Sequence, residues 1–222
     1  QDTVAFRAHA GRSGFPGARA DFTLKQALRH PAFWTLAFAF SANSFIFSAL
    51  SVHLIPILQR FGHPVETVVF MAALIGPMQV AGRIGEMTAG RKLMPQTVGK
   101  ITFALLPAAL LALLFFGTRQ WAMALFCALY GLSNGILTIA RGTVPQALFG
   151  TRNYGAISGA MAGPSMLSKA AGPLAVAALI QFNPSPVLLF GLLFAFALSS
   201  LLFYLMAIRT APLATASLPT PA

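Results

Sequence analysis

GAISGAMAGPSMLSKAAGPLAVAALIQ, residues 155–181, is a run of 27 residues with one charge, Lys169. A bilayer-spanning helix needs about 20 predominantly apolar residues, so this stretch is long enough to cross. At helical spacing Ser158, Ala162, Ser165, Lys169 and Gly172 fall on one face. Five further stretches of the same kind occur at Pro31–Leu58, Thr67–Ala89, Ile101–Gly117, Trp121–Ala140 and Val187–Ile208. The chain reads as an all-α membrane protein with six transmembrane helices over residues 31–208. Residues 1–30 read as a cytoplasmic linker and 209–222 as a cytoplasmic tail.

Composition agrees. Hydrophobic residues make up 57% and charged residues 9%, with a mean hydropathy of +0.75; a soluble domain carries roughly 25% charged residues. The net charge is +11. Its basic residues sit in short loops beside apolar spans, so the expected partner is the anionic inner leaflet of the bilayer, not nucleic acid. The single cysteine, Cys127, lies within the fourth span, which leaves no disulfide framework and no clustered thiol metal site.

The loops set the orientation. Arg7, Arg12, Arg19, Lys25 and Arg29 precede the first span; Arg91, Lys92 and Lys100 fall in the second gap, Arg141 and Arg152 in the fourth, and Arg209 in the tail. The first and third gaps hold only Arg60 and Arg119, and the fifth holds none. Short loops rich in Lys and Arg stay on the cytoplasmic side, so both termini are expected there, in the cell membrane. The chain opens at Gln1, and its first 24 residues are rich in Gly, Ala and Arg. A linker running straight into a span predicts an upstream partner, a further six-helix half.

Polar residues are distributed unevenly among the spans. The first carries Ser41, Ser44, Ser48 and Ser51 on one face, with Asn43 and His53 off it. The second carries Gly76, Gln79, Arg83 and Glu86, and the fourth Tyr130, Asn134, Thr138 and Arg141. Polar stripes in membrane helices face protein or water, so the first, second, fourth and fifth spans are expected to line an interior space. The third and sixth are nearly all apolar and are expected to face lipid as supports, with Leu113 and Leu193 on their lipid side. This order, two lining helices and a support, occurs twice. An odd number of helices per unit makes the units two inverted three-helix repeats. In the fifth span Gly155, Gly159 and Gly163 are spaced for close helix packing. Pro164 and Pro173 free carbonyls that neighbours must satisfy, marking a helix that bends or gates.

Three stretches carry a family resemblance: LKQALRHPAFW at 24–34, QVAGRIGEMTAGRKL at 79–93, and Gly131–Pro173, which ends in NYGAISGAMAGPSMLSKAAGP. Over about residues 22–208 the chain resembles the C-terminal six-helix half of a major facilitator superfamily transporter, and is similar to its oxalate/formate antiporter and monocarboxylate-transporter branch. That family is itself a standard example of nested inverted repeats. The superfamily loop signature survives as Gly82, Glu86 and Gly90-Arg91-Lys92. Met87 and Thr88 follow Glu86, so its Asp-Arg pair is missing and the resemblance does not extend to a gate latch built on it.

The resemblance implies that cations on the second and fifth spans, here Arg83 and Lys169, hold substrate carboxylates. A charge at mid-membrane costs on the order of 2.5–3.5 kcal/mol by insertion scales, which predicts a cavity or partner for Lys169. Arg83 also suits snorkelling near a helix end, or pairing with Glu86. Asn43, Gln79, Asn134 and Tyr130 are candidate hydrogen-bonding groups for the solute, and equally suited to helix–helix contacts. Glu86 and His53 are the candidates for proton coupling, His53 being also suited to an interfacial hydrogen bond.

The acids are Asp2, Asp21, Glu66 and Glu86, so no intramembrane carboxylate pair is available for acid–base or metal chemistry. No phosphate-binding glycine loop is present. The sequence therefore reads as a non-enzymatic secondary transporter, or half of one, without cofactor or metal. It is expected to move a small organic solute, an anion by its in-span charges, by alternating access. The rival readings are an exporter of amphipathic compounds, suggested by Phe33, Phe38, Phe40, Phe45 and Phe47, and a non-transporting membrane scaffold.

Overall fold

A computed structural model describes residues 21–89, 93–183 and 185–211. Gly90, Arg91 and Lys92 of the loop signature lie outside the described residues, as do residues 1–20 and the tail from 212. The elements are helices: α1 (Leu24–Arg29), α2 (Pro31–Gln59), α3 (Val65–Ala72), α4 (Ile75–Ala89), α5 (Pro95–Phe116), α6 (Gln120–Phe149), α7 (Tyr154–Phe182) and α8 (Pro186–Arg209). Helix α2, the α3–α4 pair, and helices α5, α6, α7 and α8 are the six spans.

Local chemistry sets the helix starts. Thr23 and Gln26 form a capping box at α1, and Pro31, Pro95 and Pro186 stand at the first turns of α2, α5 and α8. Proline suits that position, because its missing N–H would be unpaired anyway. The same property breaks the second span. Pro77 has no N–H to offer the Ala73 carbonyl, and the helix is interrupted at Ala73–Leu74, between α3 and α4.

The packing has the symmetry of an inverted repeat. Helix α2 packs on α7 and α8, α6 packs on α4 and α5, and α5 packs on α8. Exchanging the first three spans with the last three carries α2–α7 onto α6–α4 and α2–α8 onto α6–α5, and returns α5–α8 to itself. At one end, His63 Nε2 lies 2.7 Å from the Gly117 carbonyl, tying the first interhelical turn to the third. At the other, the Tyr204 hydroxyl donates to the Gln96 carbonyl at 2.9 Å.

Residues 21–30, read from sequence as the end of a linker, are docked on the α6–α7 turn. The Asp21 carboxylate accepts from the Thr151 and Arg152 N–H groups at 2.9 and 3.2 Å. The Phe22 N–H donates to the Phe149 carbonyl, and Asn153 Nδ2 to that of Phe22. Gly150 sits beneath this clasp at φ +86°, a conformation glycine adopts without a Cβ penalty.

The third and sixth spans depart from expectation. Leu113 is 0% and Leu193 3% exposed, so both point into protein rather than lipid. Phe103 of α5 stacks on Tyr204 of α8 with centroids 4.5 Å apart, both side chains fully buried where the two helices meet. Lipid tails are as apolar as leucine, so an apolar helix does not reveal by composition which of its faces meets lipid. The least buried spans are the second and the fifth, at the two flanks.

Close helix approach also uses other glycines than the fifth-span series. A Cβ on Gly131 would stand 2.7 Å from the Ile75 carbonyl oxygen, and one on Gly135 would collide with the Gln79 backbone; both bring α6 against α4. Gly172 would place a Cβ 2.5 Å from the Phe45 oxygen, bringing α7 against α2. Gly155, Gly159 and Gly163 have nothing within 4 Å of that position, so their spacing brings no helix of the described residues close.

Candidate functional site

The polar faces of α2, α4, α6 and α7 meet around a cavity of about 440 Å³. Its lining is Ser44, Phe47 and Ser48 from α2, Arg83 from α4, Asn134, Thr138 and Arg141 from α6, and Lys169 from α7. These are the four spans whose stripes predicted an interior space. The volume falls within the ~300–1,000 Å³ range of small-molecule sites.

Three cations and no acid line this space. Arg141 stood on the fourth span's polar stripe in the sequence but was not named as a site residue. It was placed in a loop because the fourth span was ended at Ala140, whereas α6 continues to Phe149. Its position on one face with Asn134 and Thr138 was the available signal. Arg141 Nη2 donates to Ser44 Oγ at 2.7 Å, and Ser44 Oγ donates onward to the Phe40 carbonyl at 2.7 Å. The Arg141 Nε is buried without a partner. Among the described residues, the Arg83 guanidinium and the Lys169 ammonium have no hydrogen-bond or ion-pair partner, and no Arg83–Glu86 pair forms. Both side chains are exposed to the open space.

Lys169 is held by its backbone. Pro173, four residues on, cannot donate to the Lys169 carbonyl, and Ser48 Oγ donates to it instead at 2.6 Å. His53 adds a second tie, its Nε2 lying 3.0 Å from the Pro173 carbonyl. A carbonyl only accepts, so this nitrogen carries the proton. The freed-carbonyl expectation for Pro173 therefore has a physical answer in α2, and His53 serves as a brace between α2 and α7.

Of the other candidates, the structure brings Asn134 to the cavity and not Asn43, Gln79 or Tyr130. Tyr130 is buried, donating to the Phe47 carbonyl at 3.1 Å and packing on the Phe47 ring, as a strut between α6 and α2. Asn43 is buried where α2 meets α8, its Oδ1 3.4 Å from Ser200 Oγ, with its Nδ2 unpaired. Gln79 lies where α4 meets Gly135. Glu86 is half-buried on α4 and is not part of the lining.

A second, smaller cavity of about 140 Å³ adjoins the first and shares Arg141 and Lys169 with it. Its other walls come from α2, α6 and α7.

Six spans in two inverted triplets around a cation-lined chamber define a multi-pass membrane protein of the transporter type. The chain matches the Major Facilitator Superfamily model over residues 4–173. It belongs to that superfamily, whose members are membrane transporters and not enzymes. No curated protein matches the chain.

Proposed function

We propose that this chain is the C-terminal six-helix half of a secondary transporter that moves a small organic anion by alternating access. The observation that carries the reading is the convergence of Arg83, Arg141 and Lys169 on one cavity without a lining carboxylate. Unpaired cations at membrane depth are costly, and a bound anion offsets that cost. Carboxylates suit the site because guanidinium groups bind them in a planar, two-pronged geometry, while the Asn134 amide is a neutral donor beside them; the Ser48 and Thr138 hydroxyls already donate to the Lys169 and Asn134 carbonyls. Helix α7, whose proline-freed carbonyl is held by a neighbouring hydroxyl, is suited to rocking against an opposing six-helix half.

In this reading the protein sits in the cell membrane with both termini cytoplasmic. The amphipathic-exporter reading draws less support. Phe38 and Phe45 pack against Phe196 and Phe203 of α8, and Phe33 against Phe149. Phe40 and Phe47 reach the two cation-lined cavities, while Phe45 lines a separate apolar cavity between α2, α7 and α8 that contains no cation.

The test is Lys169→Met, which keeps the apolar stem and removes the charge. Hydrogen bonds to charged groups contribute roughly 1.5–3 kcal/mol, so anion affinity drops by an order of magnitude or more. Lys169→Arg retains part of it. The readouts are anion-dependent thermal stabilisation in detergent and uptake into vesicles. Equal anion binding and uptake by parent and Met variant would overturn the reading.

A further inference from the structure

The chamber is not one space but two, joined at two cations. The smaller cavity is walled by Phe40, Pro145, Met161, Ala162 and Met166, with Ser158 and Ser165 between them. Ser165 has its own partners: its hydroxyl lies 3.3 Å from the Met161 carbonyl and 3.4 Å from Ser41 Oγ. It makes no demand on a ligand, and the annex sets these apolar side chains beside Ser158 and the two cations. An apolar cavity of about 150 Å³ holds a benzene molecule, and this one measures about 140 Å³.

Arg141 stands at the junction and is fixed there. Ser44 takes up one of its nitrogens, and Phe40, whose carbonyl accepts from that same serine, forms part of the annex wall. A carboxylate bound by Arg141 and Lys169 therefore lies at the mouth of the recess. Its substituent has an apolar wall on one side and the polar chamber, with Arg83, on the other.

Building on the organic-anion reading, we propose that the annex is a tail-binding subsite and that Ala162 and Ser158 set the size of the tail. The favoured ligand has one carboxylate at Arg141 and Lys169 and a compact apolar group, up to about a phenyl ring, in the annex. A compact dianion leaves the recess empty and gains nothing from it. Burial of the tail in a preformed pocket adds affinity through apolar area removed from water.

The experiment uses acetate, phenylacetate and oxalate as probes on the intact transporter in detergent, read by thermal stabilisation and by mutual competition. The parent binds phenylacetate at least tenfold more tightly than acetate. Ala162→Leu fills the annex, so phenylacetate falls to the level of acetate while acetate binding holds. Ser158→Leu narrows the recess from another position on α7 and gives the same selective loss if the first variant does not fold. If acetate and phenylacetate bind equally in the parent, the tail subsite is wrong and the organic-anion reading stands. If neither filling variant separates phenylacetate from acetate, the subsite is likewise wrong. If none of the three anions stabilises the parent, the organic-anion reading fails and the subsite with it.

Discussion

The Ser48 hydroxyl donates a 2.6 Å hydrogen bond to the main-chain carbonyl of Lys169, joining α2 to the middle of α7. Three residue choices meet in that bond. Pro173 removes the donor that a regular helix would supply, Ser48 replaces it from another helix, and the carbonyl belongs to the residue whose ammonium faces the cavity. The position of the cation is thus set by a contact between the two inverted repeats. His53, bonded to the Pro173 carbonyl, extends the same seam.

Ser48→Ala should leave the Lys169 carbonyl without a donor and cost about 1 kcal/mol, the scale of interhelical hydrogen bonds in membranes. Pro173→Ala restores the N–H, so the Ser48→Ala cost should fall by more than half in that background. A double-mutant cycle of detergent-denaturation free energies reads the coupling. Full additivity would show that Ser48 does not serve the freed carbonyl.

Gly135→Ala should destabilise the protein by about 1–3 kcal/mol, as overpacking does, because its Cβ collides with the Gln79 backbone. Gly159→Ala meets nothing within 4 Å and should melt with the parent. Thermal melting of the two purified variants makes the comparison. If Gly159→Ala proves the more damaging, α7 packs more closely than this arrangement has it.

Leu113→Ala removes a fully buried side chain between α5 and its neighbours and should cost about 2–5 kcal/mol, with reduced yield of folded protein. Leu202→Ala, at a side chain 53% exposed on α8, should change stability by no more than about 0.5 kcal/mol. Equal effects would return both helices to the lipid-facing role their composition suggests.

The spans and the walls of the cavity were legible in the sequence because each leaves a signal there. Apolar runs give the helices, and the polar stripes of the first, second, fourth and fifth spans give the cavity walls. Lys169, Asn134 and Arg141 stand on those stripes, and all three line the cavity. Arg141 was not named as a site residue, since a cation eight residues before a helix end looks the same in sequence as the first residue of a basic loop; its partner Ser44 is nearly a hundred positions away. Leu113 and Leu193 failed for a different reason, as hydropathy scores lipid and protein interior alike. The Gly155–Gly163 series shows that small-residue spacing permits a close approach without specifying a partner, whereas Gly131, Gly135 and Gly172 depend on what faces them.

The last prediction concerns orientation. The docked segment at Asp21 shares one end of the bundle with the Thr151–Arg152 turn, while His63 and Gly117 mark the other. Lys25, Arg152 and Arg209 are exposed at the first end, and Arg60, Arg119 and Asn183 at the second. In the proposed orientation, the bias of basic residues toward the first end puts it on the cytoplasmic side. Cys127 is fully buried and out of reach of an impermeant reagent, so single cysteines at positions 25, 60, 119, 152 and 183 can be read one at a time. In intact cells an impermeant thiol reagent should label 60, 119 and 183, while 25 and 152 should react only after permeabilisation. Labelling of 25 and 152 alone would invert the protein in the membrane and place the Asp21 clasp outside. Labelling of both groups in intact cells would mean that the chain inserts in two orientations.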